Sequence, residues 1–338
     1  MNTLNTAWTI ELPHSNFGAT AVGTNIILTS RTECRVIDSN GNDIWRFIPE
    51  NSDDWGIVKA FALHTYLVYQ INRHLHFLEP KTGQLITKVQ IPPGSYTKAI
   101  NDDVVFAKSP DFHNLGCFGL ASVNGVQWQH QVEARSVKIP TVINQTIIVG
   151  DDHKTFGINL QGDKLWSVES NTHIRGGTQL IVGKNYILSN DCLIDVSSGN
   201  YVDFAFCVDS KIQKPLTGLP FNAILFVSPI EQEHSGGTPT YVLRLMNLDK
   251  EELWQFSIHT KISGTYSTQN KLYLIFDYDD DYWEKYHRWY SLQCQIHRYN
   301  FNGEIECIWD AGAPMHGIAI SSEDTIYAVS DSKLWCLK

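Results

Sequence analysis

A repeat of about 42 residues organises the chain and decides what it can fold into. The segments "RVIDSNGNDIWRF", "HFLEPKTGQLITKV", "GLASVNGVQWQHQV", "FGINLQGDKLWSV" and "LIDVSSGNYVDFAF" each read as an alternating strand, a polar turn with glycine, and a second alternating strand. Their turn glycines, Gly41, Gly83, Gly125, Gly162 and Gly199, are spaced 42, 42, 37 and 37. Two further copies follow after longer intervals. "LRLMNLDKEELWQFSI" carries Asp249-Lys250 in place of the glycine, and "IHRYNFNGEIECIWD" keeps Gly303. Glycine here supplies the positive φ that a tight hairpin demands.

An eighth copy is split across the termini. "TIYAVSDSKLWCLK" ends on the strand that precedes the turn elsewhere, and "AWTIEL" matches the strand that follows it, as in "LWSVES" and "LWQFSI". Residues 1–12 are therefore expected to supply the outer strand of the C-terminal blade and close the ring. The expected fold is all-β: one domain over residues 1–338, an eight-bladed β-propeller of four-stranded antiparallel blades. Seven blades, or two stacked sandwiches, leave the split copy unexplained.

The unit D-x-x-G-x-x-x-W-x-[FV], seen from Asp38 to Phe47, resembles the repeat of the pyrroloquinoline-quinone-like propellers. The tryptophan recurs at Trp8, Trp45, Trp128, Trp166 and Trp254, with Trp309 slightly displaced; Thr87 and Asp203 take its place in two blades. The resemblance implies that these indoles pack between neighbouring blades. WD-repeat propellers are less similar, because no GH…WD signature occurs. Enzymatic members of the family hold their cofactor with an adjacent cysteine pair and a calcium site. No Cys-Cys dipeptide is present here, so no cofactor is expected. The resemblance also extends to a periplasmic lipoprotein scaffold of outer-membrane assembly, and the missing signal and lipid-attachment cysteine point away from that role.

Composition narrows the partners. With 43% hydrophobic residues over 338 positions, the chain has ample material for a core. "MNTLNTAWTIELPHS" lacks a basic start followed by an apolar stretch, and no run approaches a membrane span. The seven cysteines are scattered and never form C-x-x-C, as expected for reduced thiols in the cytoplasm. Thirty-six acidic against 26 basic residues give a net charge of −10 without any Lys/Arg cluster, which disfavours nucleic acid.

Motifs for chemistry are thin. There is no G-x-S-x-G, H-E-x-x-H or phosphate-cradling loop, so no catalytic residue is expected. Asp277, Asp279 and Asp281 match the first ligand positions of a calcium loop, but Tyr282 and Arg288 stand where its glycine and glutamate belong. His74 and His76 face the same way on one strand without an assignable third ligand, and His64, His153, His173 and His316 are isolated. Asp151-Asp152-His153 reads as a polar turn. No metal site is expected.

In a propeller, the links between second and third strands emerge on one face. Here they carry Arg31, Arg73, Asp111, Asp151 and Asp152 with Lys154, Asp191, Glu231 with Glu233, the run "FDYDDDYWEKYHRWYSL" at residues 276–292, and Asp331. Twelve acidic residues against five basic ones leave a net −7 on that face. The run follows the strand "KLYLIF" and precedes "QCQIHRYN", so it is an enlarged link; residues 228–240, with "PIEQEHSGGTPT", form another on the preceding blade. One reading is a decoration that covers a blade end. The other is a wall of aromatic anchors within an acidic rim, with Asp277, Asp279, Asp280, Asp281, Tyr282, Trp283, Glu284, Tyr286, Trp289, Glu231 and Glu233 contacting a basic protein. The expected function is non-catalytic protein binding, in the sharpest form an immunity protein neutralising a basic toxin. The alternative is an enzyme or small-ligand binder that uses the central channel.

Overall fold

The structure is a computed structural model that describes residues 2–338, apart from 14–17, 51–55, 112–114, 133–136, 152–153, 170–178, 190–191, 203–213, 221, 230–240, 250, 259–261, 278–292, 316 and 331. Eight sheets, each with four antiparallel strands side by side from first to fourth and one with a short fifth strand added at its edge, make an eight-bladed β-propeller. Blade 1 is Gly18–Val22, Asn25–Thr29, Cys34–Ile37 and Asp43–Phe47; blade 2 is Val58–Ala62, Leu67–Ile71, His74–Leu78 and Leu85–Gln90. Blade 3 is Tyr96–Ile100, Asp103–Lys108, Gly116–Ser122 and Gly125–Val132; blade 4 is Thr141–Ile143, Thr146–Gly150, Lys154–Ile158 and Lys164–Glu169. Blade 5 is Leu180–Val182, Tyr186–Ser189, Cys192–Asp195 and Tyr201–Val202; blade 6 is Lys214–Leu219, Ala223–Pro229, Tyr241–Asn247 and Glu252–Ile258. Blade 7 is Ile262–Ser267, Leu272–Asp277, Gln293–Tyr299 and Ile305–Met315. Blade 8 takes Gly317–Ile320, Ile326–Val329 and Lys333–Leu337 from the C-terminus and Thr6–Glu11 from the N-terminus.

Two compact units share these blades: Thr20–Asp203, and Met1–Ala19 with Phe204–Lys338. Within each, the core lies between successive blades. Val68, Leu75 and Phe77 of blade 2 meet Val104, Phe106 and Ala121 of blade 3, and Leu225, Leu243 and Leu245 of blade 6 meet Leu272, Leu274 and Phe276 of blade 7. Second strands are mostly apolar and buried along nearly their whole length, as in "NIILT", because both of their faces pack on a neighbour; fourth strands alternate, as in "KLWSVE".

The repeated glycine and tryptophan form one device. Trp45 of blade 1 stacks on Gly83 of blade 2, where an added Cβ would lie 2.4 Å from its ring, and its indole N–H donates to Pro80 O at 2.8 Å. Trp128 does the same to Gly162 and Leu160 O, Trp166 to Gly199 and Val196 O, and Trp254 to Gly303 and Phe301 O. Where Thr87 replaces the tryptophan, Gly125 of the next blade has nothing within 4 Å of the Cβ position. A side-chain carbonyl or carboxylate shapes several of these turns: Asp38 Oδ1 accepts from the backbone N–H of Asn40 and Asn42 at 2.8 Å each. A bulge precedes the tryptophan position of the fourth strand in several blades. It leaves Ile44, Ile86, Leu165 and Leu253 about half exposed on the sheet edge.

The split blade is as expected, with one refinement. Thr6–Glu11 pairs antiparallel with Lys333–Leu337, and Asn5 and Lys338 exchange both backbone hydrogen bonds at 3.1 and 3.0 Å. Asn2–Thr3, however, does not belong to this outer strand. It adds in parallel to Cys307 and Ile308 at the edge of blade 7, and Leu4 is buried beside Cys307 and Trp309.

Candidate functional site

The links between second and third strands are where the sequence places the site, and the described ones are tied down locally. In blade 1, Ser30 Oγ accepts from the N–H of Thr32 and Glu33 at 3.2 Å, and the Tyr69 hydroxyl of blade 2 donates to Ser30 O. Burial pushes the Tyr69 phenol well above its usual range. Glu33 is 6% exposed and lies 3.1 Å from Arg46 Nε through one oxygen, while the other has no hydrogen-bond partner. In blade 3, the nearly buried Lys108 pairs with Asp111 at 2.8 Å, and Ser109 Oγ bonds both N–H and C=O of Val137. In blade 4, Asp151 Oδ1 caps the Lys154 N–H at 2.7 Å and Lys154 Nζ pairs with Glu169 at 2.8 Å.

These contacts temper the charge count made from sequence. Asp111 is matched by Lys108, and Lys154, counted in the links, lies in a strand and faces Glu169. Glu33, absent from that count, is matched by Arg46.

Asp277 ends the second strand of blade 7, its backbone in register with Gln293. Asp279, Asp280, Asp281, Tyr282, Trp283, Glu284, Tyr286 and Trp289 lie outside the described residues, as do Glu231 and Glu233. Their flanks are described. Pro229 pairs with Tyr241, so 230–240 joins the second and third strands of blade 6, and Asp277 with Gln293 brackets 278–292 in the same way on blade 7. Both links are thus narrower than the 228–240 and 276–292 read from sequence, because Ser228, Pro229, Phe276 and Asp277 still pair as strand. Phe276 is core: it is 3% exposed, with its ring centroid 4.3 Å from that of His297.

The histidine pair is structural. His76 is 4% exposed, donates from Nδ1 to Tyr69 O at 3.2 Å and packs on Phe47, while His74 lies 6.3 Å away between ring centroids. Burial lowers the His76 pKa to about 4, so it is neutral at pH 7. Among the described residues no three His, Cys, Asp or Glu side chains converge as metal ligands. Cys34, Cys117, Cys307 and Cys336 are buried free thiols with pKa values raised by burial, an environment that keeps them unreactive. Sequence reasoning passed over two lysines, Lys59 and Lys98, on the first strands of blades 2 and 3.

No curated protein sequence matches the chain. Among solved structures, yeast (Saccharomyces cerevisiae) Sqt1 superposes with a TM-score of 0.69 at 10% identity, covering 99% of each chain. BamB from Moraxella catarrhalis gives 0.62 at 15% identity, covering 100% of this chain and 98% of that one. A streptogramin B lyase gives 0.55 at 13% identity, covering 98% and 97%. At such identities these likenesses concern the fold alone. The family model described as outer membrane protein assembly factor BamB matches residues 30–202, half of the sequence, and with the repeat and the indole–glycine contacts it places the chain in that family of pyrroloquinoline-quinone-like propellers.

Proposed function

We propose that this protein is a protein-binding scaffold that engages its partner with the enlarged links 230–240 and 278–292. The observation that carries this reading is the register on either side of them. Blades 6 and 7 are neighbours, and both expand at the link between second and third strands, where blade 2 needs only Asn72 and Arg73. Membership of a family described as an assembly factor supports protein binding in general. The residues in the links favour a basic partner: carboxylates at Glu231, Glu233, Asp279, Asp280, Asp281 and Glu284 alternate with rings at Tyr282, Trp283, Tyr286 and Trp289. Exposed acid accelerates encounter with a basic surface, and aromatic rings hold it afterwards. A basic toxin neutralised by this propeller is the sharpest version of that partner.

The test replaces residues 278–292 by a two-residue Asn-Gly turn. The partner retained by the full-length protein from its host is first identified, and then titrated against both forms. A shortened protein with an unchanged melting temperature and at least tenfold weaker binding supports the proposal. Unchanged affinity overturns it.

A further inference from the structure

Lys59 and Lys98 stand on first strands, the sheet edges opposite those that carry the tryptophans. Alternation divides the blade 3 strand: Thr97 is 2% exposed, whereas Tyr96 is 42% exposed and Lys98 is exposed as well. A fully buried amide fixes this edge. Gln70 Nε2 donates to Ser95 O at 2.8 Å and to Asn72 O at 3.1 Å, and its Oε1 accepts from Thr97 Oγ1 at 2.6 Å. The backbone of Ser95 to Thr97 is thereby held where the Lys59 ammonium donates to Thr97 O, with Nζ 5.4 Å from the Phe61 ring centroid. An ammonium has three donors, and this contact uses one.

Neither lysine forms an ion pair among the described residues, although the chain carries ten more acidic than basic groups. Burial first, and the charge of Lys98 second, lower the Lys59 pKa to about 8. The hydrogen bond to Thr97 O brings the half-buried Lys59 ammonium to the backbone of the residue before Lys98, and neither cation has an acidic partner among the described residues. Such a pair is unfavourable unless an anion compensates it.

We propose that Lys59 and Lys98 bind a small oxyanion, a phosphate or a dicarboxylate, at the first-strand edge of blades 2 and 3. The free donors of the Lys59 ammonium and the exposed Lys98 supply charge-assisted hydrogen bonds, and the carbonyl of Thr97 orients the first of them.

Calorimetric titration at pH 7 and constant ionic strength, with inorganic phosphate in one arm and succinate in the other, tests this. Saturable binding in at least one arm is expected; the arm that binds identifies the class. Lys98→Met and Lys59→Met should each weaken binding at least tenfold, whereas Lys164→Met, on the fourth strand of blade 4, should leave it unchanged. If Lys59→Met fails to fold, the exposed Lys98 decides the matter alone. Absence of saturable binding by the wild-type protein in both arms, or undiminished binding by Lys98→Met, overturns the proposal.

Discussion

Gly83→Ala should cost far more than an ordinary glycine substitution at positive φ, and Trp45 should be the reason. Gly83 has φ +70°, so any L-residue there pays backbone strain of about 1 kcal/mol. Gly94 has φ +75° with nothing within 4 Å of its Cβ position, so Gly94→Ala measures that strain alone. At Gly83 the new methyl would sit 2.4 and 2.6 Å from Trp45 Cε3 and Cδ2, within a packed indole that is 8% exposed. The ring must move, which adds roughly 1–3 kcal/mol of overpacking. The movement also loosens the 2.8 Å hydrogen bond to Pro80 O, worth about 1 kcal/mol. The expected total for Gly83→Ala is therefore about 3–5 kcal/mol, against about 1 kcal/mol for Gly94→Ala. In a Trp45→Ala background, itself costing about 3–5 kcal/mol, the clash is gone and Gly83→Ala should cost only the backbone term. A double-mutant cycle by urea unfolding, followed by far-UV circular dichroism, should show a coupling of about 2 kcal/mol or more. Equal costs of Gly83→Ala in both backgrounds would refute the idea that the repeated glycine exists to receive the indole.

Deleting residues 1–12 should remove the outer strand of blade 8 and the buried Leu4, giving an aggregating or strongly destabilised protein; an unchanged melting temperature would contradict the split blade. The folded pKa of His76, near 4, lies below its unfolded value of 6.5. Its contribution to stability is therefore fully present above pH 6.5 and lost as pH falls toward 4, by roughly 2–3 kcal/mol. His76→Gln should reduce the slope of the stability profile over that window without abolishing it, because burial lowers His297 to about 4 as well, and an unaltered slope would reject the assignment. Neutralising Asp279, Asp280 and Asp281 together should slow partner association and reduce its salt dependence. Trp283→Ala should instead speed dissociation, by about 2 kcal/mol; surface plasmon resonance separates the two, and unfolding of the tryptophan variant would show that the ring packs the blade.

The propeller was legible in the sequence because its blade contacts are made by residues that recur at a fixed spacing. Gly83, Gly162, Gly199 and Gly303 are visible as turn residues, and Trp45, Trp128, Trp166 and Trp254 as strand residues, although only the fold shows that each glycine receives the indole of the blade before it. What has no repeat signal was missed. Asn2–Thr3 is too short a segment to announce that it pairs with blade 7. The matching of Glu33 by Arg46 joins a link to a fourth strand, and counting charges link by link cannot see it. Lys59 and Lys98 lie 39 positions apart, and the Lys59 ammonium reaches the backbone beside Lys98 only because blades 2 and 3 pack side by side. For the candidate interface, the strand register describes only the flanks, Pro229 with Tyr241 and Asp277 with Gln293, while the acidic and aromatic residues between them lie outside the described residues.

Site-specific photocrosslinking tests the central claim most directly. A photoreactive amino acid is placed in turn at position 231, at position 283, and at position 270, in the turn at the opposite end of blade 7 between its first and second strands. Partner adducts from 231 and 283 and none from 270 are the predicted result. Adducts from 270 with none from 231 or 283 would contradict it and move the binding surface to the other end of the blades.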